Sequence, residues 1–191
     1  MIDTAAFIQR LSRTKLLSPK IVNTLIEGVR INTFDAQETF LSPGNYATAI
    51  YFVQSGLLRG AIESPLGKMS TWFKQENDIL IPSGAFNQHS SEEYLSAVSH
   101  TTLLALPVKH LQQMAESAPE VNELIIRLLT ESQSQGQYRE ALLRIPTAKE
   151  RYAFLARHED FILKRIPHHL IASYLNVTKE TFSRIHKGLA Y

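Results

Sequence analysis

Apolar residues at helical spacing open the chain: Phe7, Ile8 and Leu11, then, past a break at Ser18-Pro19, Ile21, Val22, Leu25, Ile26 and Val29. This period predicts two short helices over residues 3 to 30, with Pro19 in the first turn of the second. From Asn32 to Pro107 the texture changes to short β-rich runs: Ile50-Tyr-Phe-Val, Leu57 to Ile62, Met69 to Phe73, Tyr94 to Val98 and Leu103 to Leu106. Turn signals separate them at Pro43-Gly44, Ser55-Gly56, Pro65-Leu66-Gly67 and Glu76-Asn77-Asp78. Many short strands so spaced predict a sandwich, roll or barrel. The polar stretch from Ser83 to Glu93 reads as a loop or short helix within the sheet connections.

Helical periodicity returns at Val108 to Ser117, and Pro119 then opens a long helix reaching about Leu143. Its apolar stripe is Val121, Leu124, Ile125, Leu128 and Leu129, interrupted by the polar run Ser132 to Gln137 and resumed by Leu142 and Leu143. Such a helix pairs with a second copy or packs back on its own sheet. The first reading, preferred because a small roll offers the stripe no obvious partner, assigns Val121, Leu124, Ile125 and Leu128 to dimerisation. Pro146 ends the helix, and Thr147-Ala-Lys-Glu150 is a capping box that starts another, Ala148 to about His158. The expected division is residues 1–118, a β domain with its N-terminal helices; 119–145, the long helix; and 146–191, a small helical domain.

Charge sharpens the picture. Over the whole chain the net charge is +2, but Lys164, Arg165, Lys179, Arg184 and Lys187 face Glu180 alone between Lys164 and Tyr191. That leaves +4 on the last 28 residues and −2 on the rest, an asymmetry that points toward a polyanion. The absence of cysteine excludes disulfides, thiolate metal sites and cysteine nucleophiles. No apolar run reaches transmembrane length and the N-terminus lacks the pattern of a signal peptide, so the expectation is a cytoplasmic protein without a membrane partner. No nucleophile elbow or phosphate loop occurs, and the seven histidines form no ligating constellation, so neither an enzyme nor a metal site or other cofactor is expected.

The most informative segment is Ile166 to Gly188. Pro167 suits the start of a helix whose inner face would be Leu170, Ile171, Tyr174 and Leu175, with small Ala172 at the closest helix approach. Asn176 stands where a turn between crossed helices needs positive φ, which Asn tolerates better than most residues. Val177 would plug the space between them. Thr178 is an N-cap for a second helix, Lys179 to Lys187, burying Phe182 and Ile185 and ending at Gly188. This spacing predicts a helix-turn-helix. The second helix would present Lys179, Glu180, Ser183, Arg184 and Lys187 outward. In a major groove Arg184 can grip a guanine edge, Glu180 can accept from cytosine N4, and the lysines can meet phosphate.

With Ile50-Tyr-Phe-Val-Gln-Ser-Gly56-Leu-Leu-Arg59, the long helix and Lys179-Glu-Thr-Phe-Ser-Arg184, nearly the whole chain resembles the Crp/Fnr family of bacterial transcription regulators. The resemblance implies an α+β fold: a cyclic-nucleotide-binding-type jelly roll (double-stranded β-helix), a dimerising central helix and a C-terminal DNA reader. It further implies a homodimer on a palindromic double-stranded operator, contact with RNA polymerase, and base reading by Lys179, Glu180 and Arg184. Thr178, Ser183 and Lys187 complete the expected DNA-binding set. The sequence stops at Tyr191, where the family often continues into a β-hairpin wing, so that wing is expected to be absent or severely shortened.

The effector pocket departs further from the pattern. The Gly-Glu and Arg-Ser pairs that hold a cyclic nucleotide in the family would align near Ile81-Pro82 and Ser91-Glu92, and neither pair is present. The candidate pocket residues are Pro82, Ser83, Ser91 and Glu92, with Gln133 and Ser134 on the long helix, and they imply a ligand other than cAMP or cGMP. Trp72 reads as core. The competing functional reading is a β-roll ligand-binding or scaffold module whose C-terminal helices only pack. Exposure of Lys179 and Arg184 favours the first reading, and their burial in salt bridges the second.

Overall fold

A computed structural model describes residues 4–12, 17–65 and 67–189. The elements are α1 (Ala5–Ser12), α2 (Pro19–Glu27), β1 (Arg30–Phe34), β2 (Thr39–Leu41), β3 (Ala49–Ser55), β4 (Leu58–Ile62), β5 (Met69–Lys74), β6 (Ile79–Leu80), β7 (Tyr94–Ala97) and β8 (Thr101–Pro107). Six helices follow: α3 (Val108–Ser117), α4 (Pro119–Arg144), α5 (Ala148–His158), α6 (Asp160–Arg165), α7 (His168–Tyr174) and α8 (Lys179–Leu189). The fold class is α+β, as expected. The strands make two four-stranded sheets, β1-β8-β3-β6 and β2-β7-β4-β5, with antiparallel pairing of β8 to both β1 and β3. No helix among the described residues is long and apolar enough to cross a membrane.

Local chemistry explains most boundaries. Ser18 caps α2, accepting from the Ile21 amide at 3.4 Å, with Pro19 in the first turn. Positive φ at Gly44, Gly56 and Asn77 accommodates three of the expected turns. Gly56 cannot be replaced cheaply, because a Cβ there would lie 2.4 Å from the Thr101 hydroxyl. That hydroxyl is buried and accepts from the Leu57 amide at 3.2 Å, tying the turn to the start of β8. The Thr147–Glu150 capping box at the start of α5 is present.

The sequence reading differs from the structure in several places. Val29 lies beyond α2, and β1 follows at Arg30 with four of its five residues exposed, so no alternation marks it as a strand. Strands β2 and β6 have three and two residues, too few for a period to show. Helix α6, six residues long, is too short for a helical period to mark it. The second helix of the helix-turn-helix passes through Gly188 to Leu189.

Contacts divide the chain into two compact units, Met1–Arg59 with Lys74–Gln133, and Gly60–Phe73 with Ser134–Tyr191. The break thus falls between Gln133 and Ser134, inside the exposed polar stretch of α4, whereas the sequence suggests a boundary near residue 146. In the first unit, Phe7 of α1 meets Phe52 of β3 with ring centroids 5.2 Å apart, and Val53, Leu95 and Leu103 are fully buried. Arg10 of α1 pairs with Glu131 of α4. Val121, Leu124 and Leu128 are only 0%, 1% and 4% exposed, and Ile125 is half-buried. These side chains are thus buried in the single chain, whereas the sequence pattern left the stripe without an obvious partner. The side of the helix left to solvent carries Ile126 at 63% and Leu129 at 41%.

In the second unit the indole of Trp72 lies over Gly60, where a Cβ would come within 2.1 Å of it, and the residue is half-buried instead of being part of the fully buried core that the sequence suggests. Phe73 of β5 meets Tyr174 of α7 edge-on at 5.3 Å. Arg139 of α4 lies 3.9 Å over the Tyr174 ring, and its Nη2 donates to the Ser70 carbonyl at 3.4 Å. Burial lowers the Arg139 pKa and raises that of Tyr174, whose hydroxyl donates to Glu159 at 3.2 Å.

Candidate nucleic-acid interface

Helices α7 and α8 form the helix-turn-helix that the sequence suggests. Pro167, at the N-cap position, offers its carbonyl to the amides of Leu170 and Ile171. Ile171, Ala172, Tyr174 and Leu175 are buried, and Leu170 is half-buried. The turn closes by donation from the Val177 amide to the Ala172 carbonyl at 3.0 Å, with Asn176 at φ 52°. Thr178 caps α8, its Oγ1 accepting from the Thr181 amide at 3.1 Å, a contact worth about 1 kcal/mol. Val177 and Ile185 are half-buried, while Phe182 is 1% exposed and anchors α8.

Other elements of the unit hold this pair. Arg151 of α5 donates from Nε to the Leu175 carbonyl at 3.0 Å, and from Nη1 to the Ile145 carbonyl at 2.9 Å. It thus satisfies an orphan acceptor at the end of α7. Tyr152 packs near Phe182, and its hydroxyl lies 2.9 Å from Nδ1 of His186.

With one face of α8 fixed, the opposite one is displayed. Lys179, Glu180, Arg184, Lys187 and Thr178 are exposed, and Ser183 is half-exposed. Arg184 reaches back to the Thr181 hydroxyl at 3.4 Å, and no ion pair engages Lys179, Arg184 or Lys187 among the described residues. The Glu180 carboxyl is held below the usual carboxylate range, first by its own backbone amide, then by the Thr178 hydroxyl and the charges of Lys179 and Arg184. At neutral pH it is therefore an ionised acceptor set among cations. Sequence reasoning missed Lys149: it lines, with Thr181, Arg184, Ile185 and Gly188, a hollow of about 380 Å³ between α5 and α8. It stands 35 residues from Arg184, so only the fold could bring the two together.

The expected effector residues are placed less suggestively. Pro82 and Ser91 are buried, while Ser83, Glu92, Gln133 and Ser134 are exposed. The Ser91 hydroxyl donates to the Glu93 carbonyl at 3.0 Å and accepts from the Glu93 amide at 3.1 Å, so local backbone already uses it. Gln133 and Ser134 fall on either side of the break between units.

A two-sheet roll, a long helix and a C-terminal helix-turn-helix together define the fold of the Crp/Fnr regulators, and this chain has that fold. It is similar to FixK2 from Bradyrhizobium japonicum at 18% identity and a TM-score of 0.74, over 85% of this chain and 84% of that one. The c-di-GMP responsive global regulator CLP of Xanthomonas campestris matches at 14% identity and a TM-score of 0.70, covering 91% of this chain and 92% of that one. TTHA1359, a Crp/Fnr family transcriptional regulator from Thermus thermophilus, matches at 18% identity and a TM-score of 0.64, over 84% and 86% of the two chains. No family model and no curated protein matches the sequence.

Proposed function

We propose that this chain is a cytoplasmic, homodimeric transcription regulator that grips double-stranded DNA with α8 and acts on RNA polymerase. The observation that carries the reading is the display of Lys179, Arg184 and Lys187 around the ionised Glu180, on a helix whose other face is fixed by Phe182. A helix that only packed would have no use for three exposed cations without ion pairs, whereas a major groove accounts for each: Arg184 for guanine, Glu180 for cytosine, and Lys179 and Lys187 for phosphate. Ser183 and Thr178 add hydroxyl donors at the same surface. The dimer would use the solvent side of α4 at Ile126 and Leu129, in place of the buried stripe. Selection of bound fragments from a random duplex pool tests the reading: a palindrome with half-sites roughly 34 Å apart is expected, and recovery of no preferred sequence would refute it.

The β-roll does not hold cAMP or cGMP in the family's manner. A cyclic phosphodiester needs charge-assisted donors to replace its water, and the aligned segment offers Ser90, Ser91, Glu92 and Glu93 with the Ser91 hydroxyl already engaged. Calorimetric titration should show affinity no better than about millimolar, and saturable low-micromolar binding that raised DNA affinity would overturn this.

A further inference from the structure

Three consecutive residues where α7 ends are each held from a different element. The Ser173 hydroxyl accepts from the Ser70 amide of β5 at 3.0 Å, and the Leu175 carbonyl accepts from Nε of Arg151 on α5 at 3.0 Å. Between them the guanidinium of Arg139, from α4, sits 3.9 Å over the centre of the Tyr174 ring. That ring is fixed on other sides too, meeting Phe73 edge-on and donating its hydroxyl to Glu159. Asn176 and Val177 follow directly and α8 begins at Lys179, so these anchors set the direction in which α8 leaves the turn.

Arg139 is the anchor whose chemistry stability does not require. Its Nη1 is buried with no acceptor among the described residues, its Nη2 reaches the Ser70 carbonyl only at 3.4 Å, and no ion pair among those residues engages it. A buried cation so sparsely matched adds little to stability, and an apolar side chain of similar volume in such a place is often neutral or stabilising. What arginine adds over methionine is direction: its flat face seats on an aromatic ring, and its fork aims an N–H at one carbonyl. We propose that Arg139 is a positioning residue, which sets the direction of α8 from α4 and thereby the spacing of the half-sites that the dimer accepts. This rests on the regulator reading, because spacing has meaning only if α4 joins two copies and α8 reads bases. The choice of bases within a half-site stays with Lys179, Glu180 and Arg184.

Duplexes whose selected half-sites are moved apart one base pair at a time test the spacing, since each added pair turns one half-site by about 35°. Wild type should favour one spacing over its neighbours by about tenfold or more, the cost of losing at least one base contact. Arg139→Met should melt within about 2 °C of wild type or above it. It should keep the base preference inside each half-site yet bind neighbouring spacings within about twofold of one another. Arg139→Lys, which keeps the charge without the fork or the flat face, should flatten the profile too. A wild-type spacing profile in either variant would overturn the proposal. So would an Arg139→Met protein that melts well below wild type and weakens on all duplexes alike, because a residue that only supports the fold behaves in that way. Residual dipolar couplings of the free proteins read the orientation without DNA: in Arg139→Met the amides of α8 should turn relative to those of residues 134–144, and identical couplings would refute the positioning role. If wild type selects no preferred duplex while those couplings shift, the regulator reading fails and the positioning of α8 by Arg139 stands.

Discussion

Leu128 and Ile126 lie two residues apart on α4, and the structure gives them opposite roles. Leu128 is 4% exposed, so Leu128→Ala removes three buried carbons from a packed site that can collapse only in part. Such truncations cost about 2–5 kcal/mol; taking about 3 kcal/mol, a chain of this size should lose roughly 6–12 °C in Tm. Ile126 is 63% exposed, so Ile126→Ala should cost less than about 0.5 kcal/mol and move Tm by no more than about 2 °C. The double charge variant Ile126→Glu/Leu129→Glu should leave the protomer folded yet turn the dimer into monomers, because two carboxylates per protomer would be desolvated against their symmetry mates. Circular-dichroism melts and sedimentation equilibrium at micromolar concentration read both effects. A Leu128→Ala protein melting with wild type would refute the packing argument, and a charge variant that stayed dimeric would remove this face from the interface.

Arg184→Ala should cost about 1–3 kcal/mol of DNA affinity and relax preference at one base position, whereas Lys187→Ala should weaken all sequences alike and flatten the salt dependence; competition binding over a substituted-site library distinguishes them. Glu180 should titrate below ordinary glutamates by carboxyl ¹³C NMR, and Thr178→Ala should raise its midpoint by removing a donor. Because its folded pKa is depressed, its contribution to stability is present above the ordinary glutamate pKa and is lost as pH falls through its own lower value. At Asn176, φ 52° makes Asn176→Val strained by about 1–3 kcal/mol, while Asn176→Gly should melt close to wild type.

What could be read in the sequence was local chemistry with a fixed stereochemical demand. The positive φ of Asn176, the Thr178 cap on the Thr181 amide and the Thr147–Glu150 box are each set by neighbours within four residues. The helix-turn-helix could therefore be built from its own segment. Lys149 carried no such mark, since it matters only for what the fold brings beside it, the hollow at Arg184. Strand β1 escaped for the converse reason. It pairs with β8 along its full length while leaving most side chains in solvent, so its stability lies in backbone hydrogen bonds to which the hydrophobic pattern is blind.

The stripe on α4 shows the limit of periodicity most directly. Spacing at i, i+3 and i+7 states that Val121, Leu124 and Leu128 share a buried face, and they do. It says nothing of what buries them. The inference to a second copy depended on the roll having no surface to spare, which is a statement about volume and topology that a one-dimensional pattern does not contain. With that face buried in the single chain, a surface between copies is better sought among residues that interrupt the period. Ile126 and Leu129 are the large apolar residues of α4 most open to solvent, and Gln133 and Gly136, one and two turns further on, are exposed as well. A dimer built there would be a narrow apolar contact continued by small and polar groups, weaker per unit area than a coiled-coil seam and correspondingly sensitive to concentration.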